Sequence, residues 1–171
     1  NTDVHAFDLA LNNLEKREAR NDEVFDDPSD DGKPPAIAVL PFKNLSNDEE
    51  QEYFADGITE DIIANLSLWK TFPVISRNSS FTFKNTTEKS DVISKTLGAR
   101  YLVEGSVRKA GNKVRITAQL TSADDDKQIW SKRWDRSLED IFEVQDEVSR
   151  DVAALISPAL KDQEQVKLST R

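Results

Sequence analysis

Residues 100–123 read RYLVEGSVRKAGNKVRITAQLTSA, two β-rich runs joined by Gly111-Asn112. Glycine and asparagine accept the positive φ angles of a tight turn at low steric cost, so this pair predicts an antiparallel hairpin. In the second run Val114, Ile116, Ala118 and Leu120 alternate with Lys113, Arg115, Thr117 and Gln119. That period of two belongs to a strand with one buried and one wet face. The acidic stretch Asp124-Asp125-Asp126-Lys127 reads as the next turn. It leads into QIWSKRWDR over 128–136, where Ile129, Ser131 and Arg133 oppose Trp130, Lys132 and Trp134. The three runs predict an antiparallel meander with an apolar face that helices must cover.

The segments on either side have the helical period. Residues 51–69 carry Phe54, Ile58, Ile62, Ile63, Leu66 and Trp69 on one stripe, with Glu60 and Asp61 on the other face. Residues 88–98 repeat the pattern through Val92, Ile93 and Leu97, and Gly98 stands where a left-handed helix cap is expected. A longer helix is predicted over about 138–160, with Ile141, Phe142, Val144, Val148, Val152, Leu155 and Ile156 facing the core. Ser137 is the expected cap, with Asp140 near the positive helix end. Two short apolar runs complete the set: AIAVLPF over 36–42, bounded by prolines, and PVIS over 73–76. Both suit strands buried on two faces. The order is therefore β-α-β-α-β-β-β-α. It predicts an α/β fold with a mixed β-sheet, parallel in its first half through right-handed crossovers and an antiparallel meander in its second.

The charge distribution suggests the domain limits. The 171 residues carry 32 acids and 23 bases, a net charge of −9, and residues 1–35 alone hold ten acids and four bases. NDEVFDDPSDDGKPP over 21–35 has too little apolar surface to offset the entropy of ordering it and reads as a linker. Before it, Val4, Phe7, Leu11 and Leu14 recur at helical spacing over 1–20, an amphipathic segment that reads first as a helix belonging to whatever precedes the domain and, as the alternative, as a contact pairing two chains into a homodimer. The expected organisation is thus a helical segment (1–20), an acidic Pro/Asp-rich linker (21–35), one α/β domain (36–160) and a polar tail (161–171). A chain that begins at Asn1 and holds no methionine reads as a piece of a longer polypeptide.

Composition narrows the chemistry. Cysteine is absent, which removes disulfides, thiolate metal sites and cysteine nucleophiles. The single histidine, His5, lies in the amino-terminal segment, so histidine acid–base catalysis and histidine metal ligation are not expected of the domain. No GxxxxGK[ST] or GxGxxG loop occurs to cradle a phosphate. Net acidity disfavours nucleic-acid binding, and no apolar run is long enough to cross a bilayer. Adjacent carboxylates such as Glu60-Asp61 and Asp146-Glu147 point to different sides of a helix and read as solvated. Lys127 breaks any calcium-loop reading of the aspartate triple. Neither catalytic residues, metal nor cofactor are expected.

One candidate binding pocket emerges. Ligands in open α/β sheets gather beyond the carboxyl ends of parallel strands. Asn44, Ser46, Arg77, Asn78 and Ser79 fall at that edge, and Asp56 and Glu60 fall near the start of the first helix. Glu104 interrupts the apolar run RYLVEGSV, and a buried carboxylate needs a partner, for which Arg77 is the expected cation. A structural ion pair with loop caps and a pocket for a small ligand or peptide are both open on these residues.

Four strings carry a family resemblance: AIAVLPFKNLSNDEEQEYFADGITEDIIANLS, VISRNSSF, LGARYLVEGSVRKAGNKVRITAQL and WSKRWDRSLEDIFEVQDEV. Together they resemble the TolB-N-terminal-like domain, also described as CadC-like or FlgO-like, collinearly over about residues 35–160. The matching polar positions are Asp56, Gly57, Glu60, Asp61, Arg77, Asn78, Ser79, Glu104, Gly105, Ser106, Arg108, Arg115, Asp135 and Asp140. The resemblance implies a non-catalytic sensory, regulatory or partner-docking domain. In this family the module accompanies an adenylate or guanylate cyclase or a winged-helix regulator, often beyond a transmembrane helix. It implies the periplasmic side of the bacterial inner membrane, or the cytoplasm where the parent lacks such a helix. A cell-envelope assembly protein is the alternative it leaves open. Residues 1–33 match nothing in the pattern, and no tetratricopeptide repeat follows Leu160.

Overall fold

The ten-residue strand β3, Tyr101–Ala110, is the axis of the sheet. The computed structural model describes residues 35–70 and 72–169, and β3 pairs on both sides within them. The remaining elements are β1 (Ile37–Val39), β2 (Lys43–Asn44), α1 (Glu49–Trp69), α2 (Arg77–Phe81), α3 (Ser90–Leu97), β4 (Lys113–Ser122), β5 (Lys127–Ser137) and α4 (Ile141–Ser169). The sheet order is β1-β3-β4-β5, and β2 also pairs with β3. β1 and β2 run parallel to β3, while β3, β4 and β5 form the antiparallel meander, as the element order predicts. The hairpin closes with Ala110 opposite Lys113, and Gly111 takes a φ of 61° there.

Pro41 explains why β1 and β2 are two short strands rather than one. It has no N–H to give to a ladder. The Leu40 N–H still reaches the Val103 carbonyl at 2.9 Å, but the Phe42 N–H turns away and donates to Thr59 Oγ1 of α1 at 3.0 Å. Pairing resumes with Leu45 N–H to the Val107 carbonyl at 2.8 Å.

Alternation along the strands sorts their side chains to two faces. Tyr101, Val103, Val107, Val114, Ile116, Ala118, Leu120 and Trp134 join one core with Phe54, Ile58, Ile62 and Leu66 of α1 and Val148, Val152, Ile156 and Leu160 of α4. The two helices run in the same direction: Asp61 accepts from Gln145 Nε2 at 2.8 Å, and Asn65 donates to Ser149 Oγ at 3.3 Å. On the opposite face a smaller cluster of Ala38, Leu40, Ile93, Ala99 and Leu102 lies under α3. Gly98 caps α3 with a φ of 70°, as expected.

Several local expectations differ from the structure. PVIS is not a strand: only Val74 bridges to Ile37, and Ser76 Oγ then accepts from the Ser79 N–H to start α2, which the sequence did not suggest. Helix α4 begins at Ile141, after β5 has run through Ser137, and its cap is Asp140, whose Oδ1 accepts from the Glu143 N–H at 3.2 Å. It continues through Pro158 to Ser169, across the residues expected to form a polar tail. Trp69, expected in the core, is 45 % exposed at the end of α1. The amphipathic segment over 1–20, with the homodimer contact it suggests, and the acidic linker up to residue 34 lie outside the described residues.

Candidate functional site

The loop after β2 is held shut by its own polar side chains. Asn44 Oδ1 accepts from the Ser46 N–H at 2.9 Å, and Asn44 Nδ2 donates to the Asp48 carbonyl at 2.9 Å. Ser46 Oγ accepts from the backbone N–H of Lys109 on β3 at 2.6 Å. Asp48 caps α1 by accepting from the Glu50 N–H at 3.0 Å, and Lys109 Nζ lies 3.0 Å from its other oxygen. The Lys109 ammonium, together with that backbone donor, holds the Asp48 carboxyl below the ordinary carboxylate range.

Along α1 the carboxylates of Glu52, Asp56 and Glu60 recur every four residues and so share one face. α2 and the turn that follows it supply their counter-charges. Lys84 Nζ stands 2.8 Å from Asp56 and 3.3 Å from Glu52, and Arg77 is paired with Glu60. The hydrogen bond to Asp56 raises the Lys84 ammonium above its ordinary value. Arg77 also lies 4.1 Å over the Phe81 ring centre. Beneath these pairs Asp56 Oδ1 and Ser80 Oγ are buried without a hydrogen-bond partner among the described residues.

Glu104 stands apart from both groups. Burial pushes its carboxyl up, against the opposing pull of Lys43 and a hydrogen bond with Gln119. The expected Glu104–Arg77 pair is therefore not made, because α2 turns Arg77 back onto α1 before it can reach β3. Of the eight candidate residues, the fold joins Asn44 to Ser46 and Glu60 to Arg77, sets Asp56 beside Lys84, and leaves Asn78 and Ser79 exposed on α2. Lys84, Lys109 and Asp48, the last one of the adjacent carboxylates that read as solvated, complete these groups. The acidic residue just before the helical stripe at Glu49 is the one signal that marks Asp48 as a cap.

A second polar surface lies between α1 and α4. A cleft of about 210 Å³ is lined by Asp61, Ala64, Asn65, Asp146, Ser149 and Arg150. It is smaller than the roughly 300–1,000 Å³ of most ligand pockets, and its polar groups are partly used already: Asn65 donates to Ser149 Oγ across the helices, and Ser149 Oγ donates to the Asp146 carbonyl within α4. Among the described residues no group of three or more acidic or histidine side chains could hold a metal ion, and no helix is long and apolar enough to cross a membrane.

Over 137 residues the chain is 50 % identical to "Putative adenylate cyclase 3" of Rhizobium meliloti (strain 1021). The match takes in 80 % of this chain but 23 % of that protein, so the chain spans under a quarter of the curated relative's length. No protein-family model matches. Among solved structures, lipoprotein GNA1162 from Neisseria meningitidis superposes with a TM-score of 0.52 at 18 % identity, covering 71 % of this chain and 99 % of that one. TolB from Acinetobacter baumannii gives a TM-score of 0.49 at 17 % identity, covering 72 % of this chain and 29 % of that one. The likeness to GNA1162 shows a shared fold and, at that identity, nothing of what either chain binds.

Proposed function

We propose that this chain is a non-catalytic regulatory and partner-docking segment of a longer bacterial signalling polypeptide, one that carries an adenylate or guanylate cyclase elsewhere in its length. The 50 % identity to part of a protein named as an adenylate cyclase carries the reading. The TolB-N-terminal-like strings support it. So does the electrostatics of the candidate pocket, where Lys84, Arg77 and Lys109 already neutralise the carboxylates that an acid–base or metal mechanism would need free. The segment acts by binding a protein partner or small ligand and biasing the elements joined to its ends. Its proposed place is the periplasmic side of the inner membrane.

The test has two parts. The purified chain, given ATP or GTP with Mg²⁺ or Mn²⁺, is expected to form no cyclic nucleotide, and turnover would overturn the non-catalytic half. Deleting residues 36–160 from the polypeptide that contains them is expected to change its cyclase rate or its response to cell conditions. An unchanged rate and response would overturn the regulatory half.

A second reading, a cell-envelope assembly protein, is favoured by the fold shared with a lipoprotein over 99 % of that lipoprotein's length. Recovery of a free chain of about this size from the periplasm would favour it. A much larger chain in the membrane fraction would favour the signalling segment.

A further inference from the structure

Among the described residues the sheet face away from α1 and α4 is covered only toward its β1 end, by Ile93 of α3 and by Ile75 and Phe83 packed on the Leu102 cluster. The rest of that face, on β3, β4 and β5, carries three arginines around a single aspartate. The register sets Arg108 directly opposite Arg115, and Arg115 directly opposite Asp135. Like charges placed opposite one another across two strands destabilise the pair. Among the described residues Asp135 is the carboxylate that relieves them, 2.8 Å from Arg115 and 3.6 Å from Arg133; Glu104, on the same face four residues before Arg108 on β3, is half-buried beside Lys43 and Gln119. Arg108 has no carboxylate within ion-pair distance among the described residues. All three arginines are exposed, Arg115 by 50 % and Arg133 by 59 %. A cationic face of this kind in a chain of net charge −9 is a local reversal of sign.

We propose that this open face of β3–β5 docks an extended acidic segment of a partner protein, its carboxylates received by Arg108, Arg115 and Arg133. The proposal rests on the docking role proposed above and names the surface and the chemistry it fits. The guanidinium fork matches a carboxylate in two-pronged fashion, which a lysine ammonium does not. The row of Arg108 and Arg115 and the row of Arg133 are one two-residue step apart along the strands, roughly 7 Å, the same spacing that separates carboxylates on alternate residues of an extended peptide. A peptide lying along the strands therefore meets both rows in register. Nucleic acid fits less well: the face offers no aromatic ring for a base to stack on. An anionic membrane fits less well because the whole chain's negative charge repels an extended anionic surface at long range.

The probe is a fluorescein-labelled peptide with glutamate at alternate positions, titrated with the 171-residue chain by fluorescence anisotropy. Binding is expected at low ionic strength and weakened several-fold at ~0.15 M salt. Arg108→Ala and Arg115→Ala are each expected to weaken it about tenfold, the loss of one charge-assisted contact, with circular dichroism unchanged. Lys95→Ala, on exposed α3, serves as the control and is expected to leave binding as it was. No binding at low salt, equal binding by the arginine variants, or tighter binding of duplex DNA or phosphatidylserine vesicles than of the peptide would each overturn the proposal. The peptide titration judges the surface alone, whereas the deletion of residues 36–160 judges the docking role itself.

Discussion

The ring of Phe42 lies on Gly105: a Cβ at position 105 would stand 2.4 Å from Phe42 Cε2 and 2.4 Å from the Thr117 carbonyl oxygen. The glycine lets the chain leaving Pro41 fold its phenyl group into the core while its N–H reaches across to Thr59. Gly105→Ala is expected to destabilise the domain by about 1–3 kcal/mol through overpacking, read as a fall in the urea midpoint. Phe42→Leu should recover part of that loss in the double variant, because the two side chains share one space. Strict additivity would mean that the Thr117 carbonyl alone sets the limit.

Glu164 fastens the far end of α4 to the start of β3. Its Oε2 accepts from Arg100 Nη1 at 2.6 Å and from the Tyr101 hydroxyl at 2.5 Å. Burial and the neighbouring carboxylate together push the Tyr101 phenol well above its ordinary value. Glu164→Ala is expected to cost about 1–3 kcal/mol in urea unfolding. Hydrogen exchange in the last turns of α4 should rise in step. Unaltered exchange there would show that the helix end holds without this contact.

Glu104 gives the fold a pH dependence of definite sign. Its carboxyl is raised in the folded chain, chiefly by burial, so the fold binds this proton more tightly than the unfolded chain does. The stability it contributes is present below the ordinary glutamate range and is lost as pH rises through the raised value. Glu104→Gln should therefore be more stable than the parent at neutral pH, with the difference closing as pH falls below ~4. Urea midpoints measured across that range check it. A less stable variant at neutral pH would mean that Lys43 and Gln119 outweigh burial.

The pair between Arg77 and Glu60 is nearly half exposed on both sides, 46 % and 45 %. Exposed pairs contribute little once solvent screening and side-chain entropy are counted. Arg77→Ala is expected to cost under about 1 kcal/mol, even with the contact over Phe81 included. A loss well above that would assign Arg77 a structural role the geometry does not indicate.

The hairpin at Gly111-Asn112 and the helical stripes of α1 and α3 were legible because each is written within a few residues. A turn needs positive φ, a strand alternates and a helix repeats, and none of these depends on distant partners. PVIS misled for the same reason: an apolar, β-branched run looks like a strand wherever it occurs, yet Ser76 caps a helix immediately after it. The candidate site was legible as a set of residue types and not as a set of contacts. Nothing local to Arg77 says that it turns toward Glu60 rather than Glu104.

The sequence by itself determined the meander, the places of the main helices and the absence of cysteine chemistry, since φ preferences and hydrophobic period act between near neighbours. Tertiary structure decided the rest. It set β2 on β3 and carried α4 past Leu160, whose side chain is fully buried, to the contact of Glu164 with Arg100 and Tyr101. Those pairings join residues some sixty positions apart. They exist only because packing against the common core offsets the entropy of bringing them together.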